Sequence, residues 1–181
     1  DKPDLRKNKE DKNELAFTWV IDFPLFTKQS KDDFYHGSGS AKFATSHHMF
    51  TAPHPDDISL LDSDPIKVRG LQHDLVCNGF EVGGGSIRIH QRDVQEKIFN
   101  LIGFSKEQKA EFSHMLEAFT FGVPPHGGIA PGIDRFLMTA LDQTSVREVI
   151  AFHMTSSGQT AVMDAPSKFD EKTLKELKLK K

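Results

Sequence analysis

The chain has 181 residues, enough for about one domain, and its 37% hydrophobic and 27% charged content excludes a disordered or fibrous polypeptide, while no run approaches the roughly 18 apolar residues of a membrane helix. Its formal charge of −3 hides an uneven spread: residues 1–14 carry five acids and five bases, 168–181 carry six lysines and three acids, and the body keeps 12 bases against 18 acids. An acidic body argues against nucleic-acid binding by bulk electrostatics, and a single cysteine, Cys77, excludes an internal disulfide or a thiolate zinc site and fits a reducing compartment.

Residues 1–14 are almost wholly polar and read as a terminus or the end of a linker. The β-branched and aromatic stretch 17–21, stopped by Pro24, predicts a buried strand, and the Gly-Ser run at 37–40 predicts a turn. Pro55 before Asp56 and Asp57 opens a short helix. Asn78-Gly79 between two apolar runs predicts a tight hairpin, with 86–89 continuing extended after three glycines. Val94, Ile98, Leu101 and Ile102 recur at helical spacing, predicting a helix over 93–102 ended by Gly103. Ser105 and Gln108 form a capping-box pattern for a second helix that carries Phe112, Met115, Leu116 and Phe119 on one side and ends near Gly122. A Gly-rich turn at 127–132 leads into a third helical stripe of Phe136, Leu137, Ala140 and Leu141. A capped turn at 145–148, an apolar strand at 149–152 and a short helix around Leu174 and Leu177 complete the chain. Strands followed by helices, without a strand–helix alternation, predict an α+β fold in which helices flank an antiparallel sheet.

Two constellations carry chemistry. If the hairpin forms, Asp74 and Glu81 come to one end of the sheet, and two hard oxygen donors there suit magnesium bound together with substrate phosphates; solvated strand-edge acids are the bland alternative. Gly83, Gly84 and Gly85 beside them permit close approach of a backbone or ligand, or a bulge. Arg88 follows Ser86 and Gly84 by alternate residues, so all three share a face, and a buried guanidinium there calls for an anionic partner, whether a ligand carboxylate or one of the chain's own acids. Gly132-Ile133-Asp134-Arg135 opens a helix, where Arg135 could meet a phosphate or stack on a base, or make a surface ion pair. Nine histidines invite a metal reading, but no pair has the spacing of a zinc helix. His47-His48 reads as one packed and one exposed ring, and His126 as a loop histidine bonded to backbone. No phosphate-binding loop, dinucleotide fingerprint or nucleophile elbow is present.

Residues 80–90, Phe-Glu-Val-Gly-Gly-Gly-Ser-Ile-Arg-Ile-His, together with 127–135, Gly-Gly-Ile-Ala-Pro-Gly-Ile-Asp-Arg, resemble the C-terminal catalytic half of bacterial-type aspartyl-tRNA synthetases, the second segment being similar to motif 3 of class II synthetases. The resemblance extends through 19–26, 47–53, 74–79 and 149–152 and covers about residues 15–180. It implies that His47 and Arg88 bind aspartate, that Asp74 and Glu81 hold magnesium, and that Glu81, Gly132, Ile133, Asp134 and Arg135 bind ATP, with no side chain acting as a nucleophile. The implied reaction activates L-aspartate with ATP to aspartyl-adenylate and transfers it to the 3′ end of tRNA(Asp), in a homodimer and away from any membrane. Met49, His73, Pro131 and His153 depart from the family's usual residues, and none of them is a substrate-contacting position.

The implied organisation is an inserted-domain remnant or polar terminus at 1–14, the second half of the catalytic domain at 15–167, and a Lys-rich tail at 168–181. An anticodon-binding barrel and motifs 1 and 2 would lie upstream, so the chain looks like a fragment, inactive alone. The alternative function is a non-catalytic regulatory or binding paralogue, against which stands the retention of Asp74, Glu81, Arg88 and Arg135. The run 51–58 is similar to mitochondrial members, implying the mitochondrial matrix, with the bacterial cytoplasm as the alternative.

Overall fold

A computed structural model describes residues 3–28, 42–160, 162 and 165–179; the turn expected at 37–40 lies outside them. The strands are β1 (Phe17–Val20), β2 (Phe23–Pro24), β3 (Phe26–Lys28), β4 (Phe43–Thr45), β5 (Arg69–Gly70), β6 (Gln72–Cys77), β7 (Phe80–Ile87) and β8 (Gly127–Pro131). The α-helices are α1 (Leu60–Ser63), α2 (Arg92–Leu101), α3 (Lys106–Glu111), α4 (Ser113–Thr120), α5 (Ile133–Ala140) and α6 (Glu171–Glu176). Four strands form one antiparallel sheet in the order β1-β6-β7-β8, and β2-β5 and β3-β4 form two short ribbons. The α+β class expected from the element order is the one observed.

The β6–β7 hairpin turns where the sequence predicts. Asn78 (φ 49°) and Gly79 (φ 85°) both take the left-handed conformation, whose twist matches that of paired strands. Asn78 does more than turn: its Oδ1 accepts from the Ala16 N–H at 2.9 Å and its Nδ2 donates to the Glu14 carbonyl at 2.9 Å, fixing the entry into β1.

The Gly-rich segment 127–131, read as a turn, is the strand β8. It pairs with β7 from Gly83 opposite Pro131 to Ile87 opposite Gly127. A β-carbon on Gly85 would overlap the Gly128 carbonyl oxygen, so the two backbones approach as only glycine allows. Among the described residues β8 is an edge strand, a place that tolerates Pro131, which has no N–H to donate.

The core lies between the sheet ribbons and the central helices and is built on Phe26, Leu61, Val68, Ile98, Phe99 and Leu116. Phe99, wholly buried on α2, stacks on Phe104 with ring centroids 4.9 Å apart and lies 5.4 Å from Phe112. The capping box at Ser105 and Gln108 is present, but the expected second helix breaks at Phe112 (φ −99°, ψ 9°), whose ring turns onto Phe50, Phe99 and Phe104. The 149–152 segment is not a strand: it passes into turns, with Phe152 71% exposed and no described strand paired to it. The 3-10 turn Val146–Glu148 before it is capped by Ser145 as expected.

Candidate functional site

A defect in strand pairing assembles the acidic part of the site. Asp74 sits opposite Gly84 and Leu75 opposite Gly83, but Val76 is opposite Glu81, which leaves Val82 as an extra residue. Regular alternation would turn Glu81 to the face away from Gly84; a bulge resets that alternation. A β-carbon on Gly84 would therefore stand 3.0 Å from Glu81 Oε1 and 3.3 Å from Asp74 Oδ1. Both carboxylates share the space over a residue that has no side chain to fill it.

The Val82 carbonyl, at the bulge, accepts the Gly132 N–H at 2.8 Å and so brings the start of α5 to the same place. Arg135, in the first turn of α5, then lies with Nη1 3.4 Å from Glu81 Oε2 and 3.3 Å from the Glu81 carbonyl oxygen. A hollow of about 420 Å³ opens here, lined by Phe80, Glu81, Arg135, Met138, Ser145 and Val146 among others. Asp74 and Glu81 are thus brought together at the hairpin as the sequence predicts, while Arg135 meets Glu81 in the partly exposed ion pair that is the alternative reading of that residue. Gly132 forms the joint with β7, while Ile133 and Asp134 are exposed on the first turn.

The donor set suits a hard, hydrated divalent cation. Two carboxylates supply hard oxygens, and among the described residues no group of three or more ligating side chains is present. That suits an ion that keeps water and takes further oxygens from a phosphate, as magnesium does, and not an all-protein cage.

Four residues farther along the extended chain from Gly84, a span of about 13 Å, Arg88 occupies the same face by alternation. Its backbone N–H donates to the His126 carbonyl at 2.9 Å, and it bridges to Thr51. It lines a cavity of about 580 Å³ with otherwise mostly apolar walls, including Phe50, Ile89, Met115 and Phe119. Its Nη1 is 2.9 Å from His48 Nδ1, and no carboxylate of the described residues lies within ion-pair distance. Among the described residues, the internal ion pair that is the alternative reading of Arg88 is not formed. Burial lowers the guanidinium pKa from its ordinary value, yet the group stays charged at any physiological pH.

Of the two adjacent histidines, His47 is exposed and His48 half-buried, with ring centroids 4.8 Å apart. The cavity wall contains His48, the neighbour of the His47 that the resemblance implies as an aspartate contact. Burial, followed by the charge of Arg88 and by His47, pushes the His48 pKa down to about 4. Only the spacing to Arg88 in three dimensions separates the two rings, and no linear pattern encodes it. His126 also reaches the cavity, with Nδ1 3.0 Å from the Pro124 carbonyl, the backbone bond expected of it.

The family model for class II tRNA synthetases (D, K and N) matches residues 1–156. An aspartate–tRNA(Asp/Asn) ligase of Dehalococcoides mccartyi (strain CBDB1) is 48% identical over 177 residues, 97% of this chain and 28% of that protein. The aspartate–tRNA(Asp/Asn) ligase of Rubrobacter xylanophilus is 46% identical over 168 residues, 92% of this chain and 27% of its own length. An aspartate–tRNA ligase of Lysinibacillus sphaericus is 45% identical over 170 residues, 93% and 28% respectively. The chain thus spans a little over a quarter of the curated relatives it matches. Among solved structures, the aspartyl tRNA synthetase from Entamoeba histolytica aligns with a TM-score of 0.52 at 24% identity, over 74% of this chain and 21% of that one, a likeness of fold alone.

Proposed function

This chain belongs to the class II tRNA synthetases (D, K and N), and from that premise we propose that it carries the ATP- and aspartate-binding half of an aspartate–tRNA ligase. The observation that carries the reading is the pairing of two unlike subsites on one strand face. Asp74 and Glu81 gather over Gly84, Arg135 reaches Glu81 from α5, and four residues on from Gly84, Arg88 enters a cavity without a carboxylate partner among the described residues.

On this reading the carboxylate end of the site receives ATP. Asp74 and Glu81 would hold magnesium against its phosphates, and Arg135, with the backbone of Gly132, Ile133 and Asp134, would steady the nucleotide. Magnesium, when bound, supplies charge neutralisation for the phosphates. Arg88 would pair with the side-chain carboxylate of aspartate, and its planar fork suits that group in a way the neutral amide of asparagine does not satisfy. Losing one partner of a desolvated charge pair costs about 2–5 kcal/mol, enough for useful discrimination. The substrate's own α-carboxylate oxygen then attacks the α-phosphorus in line, forming the acyl–phosphate bond as pyrophosphate leaves. The 3′-terminal hydroxyl of the tRNA next attacks the activated carbonyl, and AMP departs. The chain's residues orient and neutralise, and none forms a covalent intermediate.

The expectation that His47 touches aspartate remains part of the proposal, as does the homodimer. Ile133 (73% exposed) on α5, Leu141 (60%) just past its end and Trp19 (55%) on β1 leave apolar surface uncovered, which supports work within a larger assembly. The bacterial sources of the relatives favour the bacterial cytoplasm over the mitochondrial matrix suggested by residues 51–58. The test is Arg88→Leu in the full-length protein: aspartate-dependent pyrophosphate exchange should disappear while ATP still binds. An unchanged aspartate affinity would overturn the assignment.

A further inference from the structure

We propose that His48 is a positioning residue whose unprotonated Nδ1 holds the Arg88 guanidinium in the cavity and so sets how the substrate carboxylate is gripped. The proposal rests on the reading of Arg88 given above and deepens it.

Two donors converge on one ring nitrogen. The Phe50 backbone N–H lies 3.1 Å from His48 Nδ1, and Arg88 Nη1 lies 2.9 Å from the same atom. Neither a backbone N–H nor a guanidinium can accept a hydrogen bond, so Nδ1 must present its lone pair, and the proton of the neutral ring resides on Nε2. Protonation of Nδ1 would replace both bonds with clashes between donors.

The ring is itself held from the core. Gln95, wholly buried on α2, donates Nε2 to the Met49 carbonyl at 2.8 Å. Phe50 packs edge-on against Phe99 and Phe112, and its carbonyl accepts the Ile89 N–H at 2.9 Å. A continuous run of contacts therefore passes from the buried face of α2 through residues 48–50 to the guanidinium. Arg88 would otherwise need to be ordered by substrate, at the cost of its side-chain freedom; a fixed acceptor orders it beforehand. His47, exposed, shows no such anchoring among the described residues and packs its ring on His48.

The test uses the full-length protein with His48→Asn, His48→Gln and Arg88→Lys, alone and combined. Asparagine places Oδ1 on the same branch from Cβ as the imidazole Nδ1, whereas glutamine moves its amide one methylene farther out. Aspartate-dependent pyrophosphate exchange should show the aspartate KM of His48→Asn within about threefold of wild type. His48→Gln should raise it by about 10- to 100-fold, the range for a lost hydrogen bond to a charged group, with the ATP KM little changed. In the Arg88→Lys background the His48→Gln effect should shrink to less than about twofold, because the shared partner is already altered. Equal damage from both His48 variants, or additivity with Arg88→Lys, overturns the proposal. If Arg88→Lys leaves the aspartate KM unchanged, the reading of Arg88 fails. Crystal structures of the His48 variants then judge the link itself: Arg88 displaced in His48→Gln and unmoved in His48→Asn sustains it, and Arg88 unmoved in both overturns it.

Discussion

Adjacent glycines on β7 offer a controlled comparison between site and scaffold. In Gly84→Ala the new methyl would lie 3.0 Å from Glu81 Oε1 and 3.3 Å from Asp74 Oδ1, where ordinary contact begins at 3.4 Å. Both obstacles are the ends of side chains, so each carboxylate can withdraw by a few tenths of an ångström. The strain is small, and it is offset by the about 0.4–1 kcal/mol that a Gly-to-Ala change gains by restricting the unfolded chain. Net stability should stay within about 1 kcal/mol of wild type. The methyl nonetheless occupies the space between two oxygens that magnesium would need near ideal octahedral positions at about 2.0–2.1 Å, and a loss of about tenfold or more in magnesium–ATP affinity follows, about 1.4 kcal/mol. In Gly85→Ala the methyl instead overlaps the Gly128 carbonyl and meets Ile129 Cα at 2.9 Å. Backbone cannot swing aside, so β8 must separate from β7 at about 2–3 kcal/mol or more. Urea unfolding and magnesium–ATP titration of the two full-length variants measure both axes. Wild-type nucleotide affinity in Gly84→Ala, or equal destabilisation by the two substitutions, would refute the geometry.

Asp57 accepts from Arg69 Nε at 2.8 Å and from the Arg69 backbone N–H at 3.0 Å, which holds the carboxyl at about 2 against its ordinary 3.8. Its contribution is present above the ordinary value and fades as pH falls through the depressed one. Asp57→Asn should lower the urea midpoint at pH 7, with the gap to wild type closing between about pH 4 and pH 2, as a pH series of unfolding curves would show. Phe99→Ala removes the ring at the centre of the aromatic cluster and should cost about 3–5 kcal/mol in the same assay, with a cost below about 1 kcal/mol contradicting the packing described.

What the sequence made legible were features whose cause is local. Asn78-Gly79 announces its hairpin because few other residues accept left-handed backbone, and Ser105 with Gln108 announces a helix start because the two satisfy each other's backbone donors. The predicted helix 93–102 and the observed Arg92–Leu101 differ by one residue at each end. What stayed hidden depends on partners. Residues 127–131 have poor strand propensity, and they pair only because the glycines of β7 let another backbone lie close. The 149–152 run has the composition of a strand without a described neighbour to pair with. Asp74 and Glu81 could be paired on paper, but the bulge at Val82 that turns Glu81 to the correct face is a property of the register. The choice between His47 and His48 at the Arg88 guanidinium is likewise a matter of three-dimensional approach.

The central claim is that Arg88 reads the side-chain carboxylate of aspartate while Asp74, Glu81 and Arg135 face the nucleotide. A crystal structure of the full-length protein with a non-hydrolysable aspartyl-adenylate analogue tests it directly. The account predicts the aspartyl side-chain carboxylate within hydrogen-bonding distance of the Arg88 guanidinium, about 3 Å, and the phosphate mimic on the side of Asp74 and Glu81. An analogue bound with its side-chain carboxylate away from Arg88 would contradict it.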